Sequence, residues 1–257
     1  MTLSKEEQSV LLDCLLEMGE LPLDAGAEIS RVEDTLSRMG TAYGARRMDV
    51  FVITSIISMT MEFPGQEALT ETRRIRANGQ TDFYRVEKLN ELSRTCCAGP
   101  LSLTELRQRL DQIAAGRKPF AAVLGGSVLA GGSFALFFGG MLWDGLAAAV
   151  FAAAICFLQD RLGHTRLNAA AFNLLISLLI GLGVGLAAAV IPALHMDKIL
   201  IGDIMLLIPG LAMTNAIRNM LLGDTISGVV RLAESLIWAA ALAGGFMVAL
   251  TVVNVLH

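Results

Sequence analysis

Charge is almost missing from the second half of this 257-residue sequence. Residues 1–119 hold 15 of its 20 Lys and Arg and 18 of its 24 Asp and Glu. Residues 120–257 hold five basic groups (Arg161, Arg166, Lys198, Arg218, Arg231) and six acidic ones. A stretch so poor in charge cannot clothe a water-facing surface. Cysteine is scarce as well: Cys14, Cys96, Cys97 and Cys156 show neither metal-ligand spacing nor a disulfide framework, and the adjacent Cys96 and Cys97 read as reduced thiols. No P-loop, paired nucleotide-binding motif or zinc spacing occurs, so no cofactor and no metal are expected. Arg73, Arg74 and Arg76 are interleaved with Glu67, Glu71 and Asp82, which leaves no basic patch for nucleic acid. Glu28, Arg31, Glu33 and Asp34 are without a nucleophile and base at recognisable spacing, so they read as a solvated helix face and no enzyme is expected. The opening MTLSKEEQSVLLDCLLEMGE lacks a continuous apolar core and does not read as a signal peptide, so the first domain is expected to remain in the cytoplasm.

Residues 1–119 have a soluble domain's composition. Ser4 with Glu7 forms a capping box, and Val10, Leu11, Cys14, Leu15 and Met18 recur at helical spacing until Pro22 and Gly26 interrupt them. A second helix is expected from about Ile29 to Met39. Val50 to Met61 is rich in β-branched residues and reads as one strand turning at Pro64-Gly65. A partner runs from Ala68 to Ile75, and Asn78-Gly79 marks a turn. Helices are expected over Tyr84–Cys97 and Ser102–Ala115. The boundary falls in Gly116–Pro119.

Crossing a hydrocarbon core of roughly 30 Å takes about 20 apolar residues. Residues 120–257 fit five such spans: 120–141, 145–160, 169–191, 198–216 and 233–255. Arg117 and Lys118 precede the first, Arg161 and Arg166 follow the second, and Arg218 and Arg231 follow the fourth. The opposite loops hold only Asp144, Asp197 and Lys198. Basic residues favour the cytoplasmic side, so the N-terminus is expected inside and the C-terminus outside. Glycine pairs along the first and fifth spans, and Gly181, Gly183 and Gly185 in the third, suit close helix packing.

The stretch Ile204 to Glu234 begins as a span and ends charged. Pro209 removes a backbone donor and clashes one turn back, and Gly210 loosens the chain at the same point. A helix broken at membrane depth lies inside a bundle or lines a solute path. Thr214, Asn215, Arg218 and Asn219 follow, then Asp224, Ser227, Arg231 and Glu234, and Asp203 precedes the break. An intramembrane carboxylate is a functional candidate; for Asp203 an interfacial cap is the equal alternative. Thr214 and Asn215 suit solute hydroxyl or carboxylate groups, against plain interhelical bonding. Asp224 and Ser227 suit a turn and helix start. Arg231 is the cation for an acidic solute, or a partner of Glu234 one turn on. Asp144 reads as an outer-face anchor, and His164 and His195 as solvated loop residues.

This stretch resembles the threonine/serine exporter family, through Pro209-Gly210, Asn215-Ala216-Ile217, Gly223-Asp224, Ser227-Gly228 and Arg231 to Glu234. GAEISRVEDTLSRM, from Gly26 to Met39, and the Trp143-Asp144-Gly145 turn are similar to it too. The resemblance implies efflux of small polar metabolites across the inner membrane, driven by the proton gradient: threonine and serine in some relatives, succinate in a two-subunit branch. It also implies a second small membrane subunit, since the chain resembles the larger component of the split type; homo-oligomerisation is the other way to complete a path.

The expectation is therefore a membrane protein with a cytoplasmic α+β N-terminal domain (1–119) and an all-α bundle of about five transmembrane helices (120–257), one interrupted at Pro-Gly. Its function is expected to be that of an exporter subunit, with the lipid bilayer, a small-molecule solute and the proton as partners. The rival expectation is a membrane-anchored sensor or scaffold, for which the Pro-Gly break and the polar cluster are superfluous.

Overall fold

A computed structural model describes residues 3–75, 82–116, 119–162 and 168–256. The expected turn at Asn78-Gly79, the basic pair Arg117-Lys118, and His164 and Arg166 lie outside the described residues. The chain falls into two compact units: Met1–Arg117 with Ala212–Leu232, and Lys118–Leu211 with Ala233–His257. The segment that leads out of the broken span thus groups with the charged N-terminal part.

In the first unit, α1 (Lys5–Asp24) starts at a full capping box. The Ser4 N–H donates to Glu7 Oε2 at 2.8 Å, and the Glu7 N–H to Ser4 Oγ at 3.2 Å. The helix does not stop at Pro22, as the sequence suggested. It carries Pro22 in its last turn and ends at Ala25, before Gly26 at φ 84°; near a helix end a missing N–H costs few bonds. α2 (Ile29–Ala42) follows. The apolar run expected as one strand from Val50 to Met61 is an antiparallel hairpin, β1 (Arg47–Ile53) and β2 (Ile56–Glu62), with Thr54-Ser55 at its turn and Ile53 opposite Ile56. β-branched residues favour either side of such a turn, and no Gly or Pro marks it. β3 (Leu69–Arg74) completes a β1-β2-β3 sheet. β2 alternates cleanly: Ile57, Met59 and Met61 are buried against Leu11, Leu15, Leu36 and Met39. On its other face Ser58 and Thr60 pair with Thr72 and Thr70 at 3.1 and 2.8 Å. α3 (Phe83–Ala98) and α4 (Leu103–Ala115) close the core with Leu89, Leu92, Leu106 and Leu110. Asp13 of α1 holds both Arg73 of β3 and Arg107 of α4, and Arg107 also reaches Glu17 at 2.7 Å.

The second unit holds α5 (Phe120–Phe137), α6 (Leu142–Leu162), α7 (Ala169–Val190), α8 (Met196–Leu207) and most of α10 (Thr225–Leu256). Between them lies α9 (Gly210–Leu221), bent 47° from α8 at Pro209. Among the described residues four helices are long and apolar enough to cross a membrane, or five with the bent pair as one span. The chain is a multi-pass membrane protein. Lipid tails supply no hydrophobic drive between helices, so close backbone contact has to hold them. A methyl added at Gly202 of α8 would stand 2.6 Å from the Gly131 carbonyl of α5, and one at Gly131 would stand 2.7 Å from Ala152 of α6. Gly181 and Gly185 of α7 meet Ala249 and Val253 of α10 in the same way.

The close α5–α8 crossing predicts that Gly202→Ala, whose new methyl faces backbone that cannot yield, lowers stability by about 1–3 kcal/mol. Gly125→Ala, with no atom within 4 Å of the added carbon, is expected to be neutral or to gain up to about 1 kcal/mol of helix stability. Thermal melting of the detergent-purified variants separates the two; equal melting temperatures would remove the packing argument.

Candidate functional site

The second unit places one sequence-predicted group in an unusual setting. Asp203 sits two turns into α8 and is fully buried, and neither carboxylate oxygen has a hydrogen-bond partner among the described residues. Its surroundings are small: a methyl at Gly131 would stand 3.5 Å from Asp203 Oδ1. Burying an unpartnered carboxylate costs several kcal/mol or more, so a proton, a cation or a solute donor has to satisfy it. Pro209 and Gly210 follow. The Gly210 N–H donates back to the Ile208 carbonyl at 2.8 Å, which turns the chain sharply at the break.

Asp144 is more than an anchor. Fully buried at the start of α6, it accepts from the Met141 N–H at 2.7 Å, the His195 N–H at 2.7 Å and His195 Nδ1 at 3.0 Å. His195 is the residue before α8, so this one carboxylate joins the α5–α6 connection to the start of the helix that carries Asp203. His195, expected as solvated, is half exposed and bound to Asp144. The only sequence signal for this staple was the Trp143-Asp144-Gly145 turn.

The first unit gathers a second polar set. α9 and the start of α10 form a tight hairpin. Gly223 turns it at φ 101°, and the Asp224 N–H donates to the Asn219 carbonyl at 2.9 Å. Gly228 lies against Met220 and the Ala216 carbonyl, where a side chain would not fit. Ser227 is buried beside it. Asn215 Nδ2 donates to the Gly26 carbonyl at 3.4 Å, and Arg218 Nε lies 3.0 Å from Glu28 Oε1. Glu28 is only 9 % exposed and also takes the Ser30 hydroxyl at 3.2 Å and Arg31 at 3.4 Å. Asn219 is fully buried, and its amide oxygen and nitrogen have no partner among the described residues. Glu33, expected on a solvated face, is half-buried and accepts from the Val52 N–H at 2.9 Å.

The nine residues expected as one site are therefore divided. Asp203, Pro209, Gly210 and the exposed Glu234 belong to the second unit. The exposed Thr214, half-buried Asn215, Asp224 and Arg231, and buried Ser227 belong to the first. Glu28, expected on a solvated helix face but nearly buried, and Arg218, one of the polar residues just beyond the break, are the charges that the fold brings together. Their signal was present: each lies in one of the two motif stretches, Gly26–Met39 and Ile204–Glu234. Among the described residues no group of three or more His, Cys, Asp or Glu is placed to hold a metal ion.

Comparison with known proteins matches residues 13–253 to the family described as a putative threonine/serine exporter. The chain is 23 % identical over 245 residues to the probable threonine/serine exporter of Mycobacterium tuberculosis, covering 93 % of this chain and 46 % of that protein. It thus spans about half the length of that relative. It is 25 % identical over 261 residues to the probable succinate transporter subunit YjjP of Klebsiella aerogenes, covering 98 % of this chain and 97 % of that one. It is 26 % identical over 257 residues to the protein of the same description in Escherichia coli, covering 96 % of each. No solved structure matches it.

Glu33 makes a pH prediction. Burial pushes its carboxyl above the usual value of 4.5 and Asp224 pushes it further, while the Val52 hydrogen bond pulls it down. The folded protein holds that proton to higher pH than the unfolded chain, so stability falls as pH rises from the unfolded value through the folded one. Gln at this position keeps an acceptor for Val52 and carries no charge. Glu33→Gln is expected to melt higher than wild type at pH 7, with the difference vanishing below about pH 4. A pH-independent difference would show that the charge is not its cause.

Proposed function

The chain belongs to the threonine/serine exporter family, and from that premise we propose that it is a subunit of a secondary exporter of small hydrophilic metabolites. Its family is a transporter family, not one defined by catalysis. The solute is threonine and serine or a small dicarboxylate such as succinate, and the proton-motive force drives efflux. The protein sits in the inner membrane, with residues 1–119 in the cytoplasm, residues 120–257 as the membrane domain and the C-terminus outside; the basic residues flanking the spans support that orientation. A second small membrane subunit, or further copies of this chain, completes the path, as the word subunit in the names of the two YjjP relatives suggests.

The observation that carries the reading is Asp203, a fully buried and unpartnered carboxylate on the helix that breaks at Pro209. A membrane anchor has no use for so costly a group, whereas a pump that exchanges protons for solute needs one it can load and unload. Thr214, Asn215, Asp224, Ser227 and Arg231 of the first unit are the proposed solute contacts there, and Glu234 is proposed for the second. Asp144 keeps the start of α8 in place.

Efflux of preloaded labelled serine, threonine and succinate, from cells lacking their own exporters, tests this with the chain alone and with a co-expressed small membrane partner. Export only with the partner means a split transporter; export by the chain alone means that copies of it complete the path. Absence of export in both arms would return the protein to the sensor or scaffold class. Asp203→Asn keeps the shape and loses the ionisable group. It is expected to lower gradient-driven efflux at least tenfold at unchanged expression and melting temperature. Efflux that stays coupled to the gradient in that variant would remove Asp203 from the mechanism.

A further inference from the structure

The geometry points to Glu28 and Arg218 as the pair that decides which solute is taken, admitting a zwitterion with a hydroxyl group and refusing a dicarboxylate. The inference rests on the exporter reading and settles the solute that this reading left open.

Glu28 occupies the position before α2, and its carboxylate makes no capping bond to that helix. It is spent instead on Arg218, Arg31 and the Ser30 hydroxyl. At 9 % exposure Glu28 cannot rely on water, so its charge needs a cation in place. Arg218 is unlike it: 54 % of its side-chain surface is exposed, with its Nε 3.0 Å from Glu28 Oε1. A guanidinium this exposed can donate to a carboxylate that approaches from solvent.

Positions 215, 218 and 219 of α9 are related as i, i+3 and i+4 and so share one helix face. Asn215 and Arg218 of that face both touch the α1–α2 turn, at Gly26 and Glu28. The third member, Asn219, is fully buried with an unpartnered oxygen and an unpartnered nitrogen. A buried amide without partners is costly, and its chemistry states its complement: one group that both donates and accepts, as an alcohol does.

An α-amino acid fits the charges one for one. Its ammonium takes the place of a guanidinium against Glu28, its carboxylate takes the place of Glu28 against Arg218, and no buried charge is stranded in the exchange. A hydroxyl on its side chain meets the Asn219 amide. A dicarboxylate offers nothing to Glu28, and its second negative charge would face the nearly buried Glu28 carboxylate. Like charge placed against a buried carboxylate is the stronger discriminator, because it penalises the wrong solute rather than merely omitting a contact.

The test uses the efflux assay above with the full chain and its membrane partner, with serine, threonine, valine and succinate as the solutes. Wild type is expected to export serine and threonine, and to export succinate and valine at least tenfold more slowly. Glu28→Gln should lower threonine efflux at least tenfold and narrow the gap between threonine and succinate, whereas Glu28→Asp, which keeps the charge, should retain the preference. Asn219→Ser, which keeps a small polar group, should narrow the gap between threonine and valine, which differ by a hydroxyl against a methyl. Succinate export by wild type without serine or threonine would overturn the inference while leaving the exporter reading intact. So would a Glu28→Gln variant that slows every solute in the same proportion, the mark of a purely structural latch. Export of none of the four solutes by wild type would overturn the exporter reading, and the inference with it.

Discussion

A polar group removed from water has to find a partner, and most of what is specific to this protein follows from where that requirement is met and where it is not. In hydrocarbon the cost falls on the backbone, so the spans are unbroken helices wherever nothing else satisfies them. The break at Pro209 is the exception, and it separates a helix with an unsatisfied carboxylate from one with an unsatisfied amide. Asp144 shows the requirement met in full: three donors converge on it, and it holds two interhelical connections together. Asp203 and Asn219 show it unmet. Native proteins leave few such groups, and those they leave ask for a ligand or a proton.

The two units are held by different forces. The first buries Leu11, Leu15, Leu36, Ile57 and Met59 from water, so ordinary hydrophobic burial builds it, with the Asp13–Arg73–Arg107 network tying α1, β3 and α4 at the surface. The second gains little from burying apolar surface in an apolar solvent. Its helices approach until a glycine lies against backbone, at Gly202 with Gly131, or against a methyl, at Gly181 with Ala249. Such contacts tolerate no added carbon, and they are how a carboxylate comes to lie in a space that excludes water.

Helices were legible because their periodicity and caps are local: Ser4 with Glu7, the Pro209-Gly210 break and the charge-poor runs were all visible in the order of residues. The β1–β2 hairpin was not, since Thr54 and Ser55 carry no turn chemistry stronger than the strand preference on either side. Pro22 misled for the opposite reason, as a strong local signal that costs little in a last helical turn. The two motif stretches could be seen separately, but no spacing says that Arg218 meets Glu28, 190 positions earlier, or that His195 meets Asp144.

The sequence by itself determined that the chain is a membrane protein, where its helices run, and that one of them breaks. These follow from hydropathy, periodicity and the missing N–H of proline, which act within a few residues. Only the tertiary structure decided that Asp203 and Asn219 are buried without partners among the described residues, and that Ala212–Leu232 groups with the N-terminal unit. It also turned Asp144 from a surface anchor into a buried staple. Burial and pairing are properties of what packs around a side chain, and the residues that do so come from elements far apart in the chain.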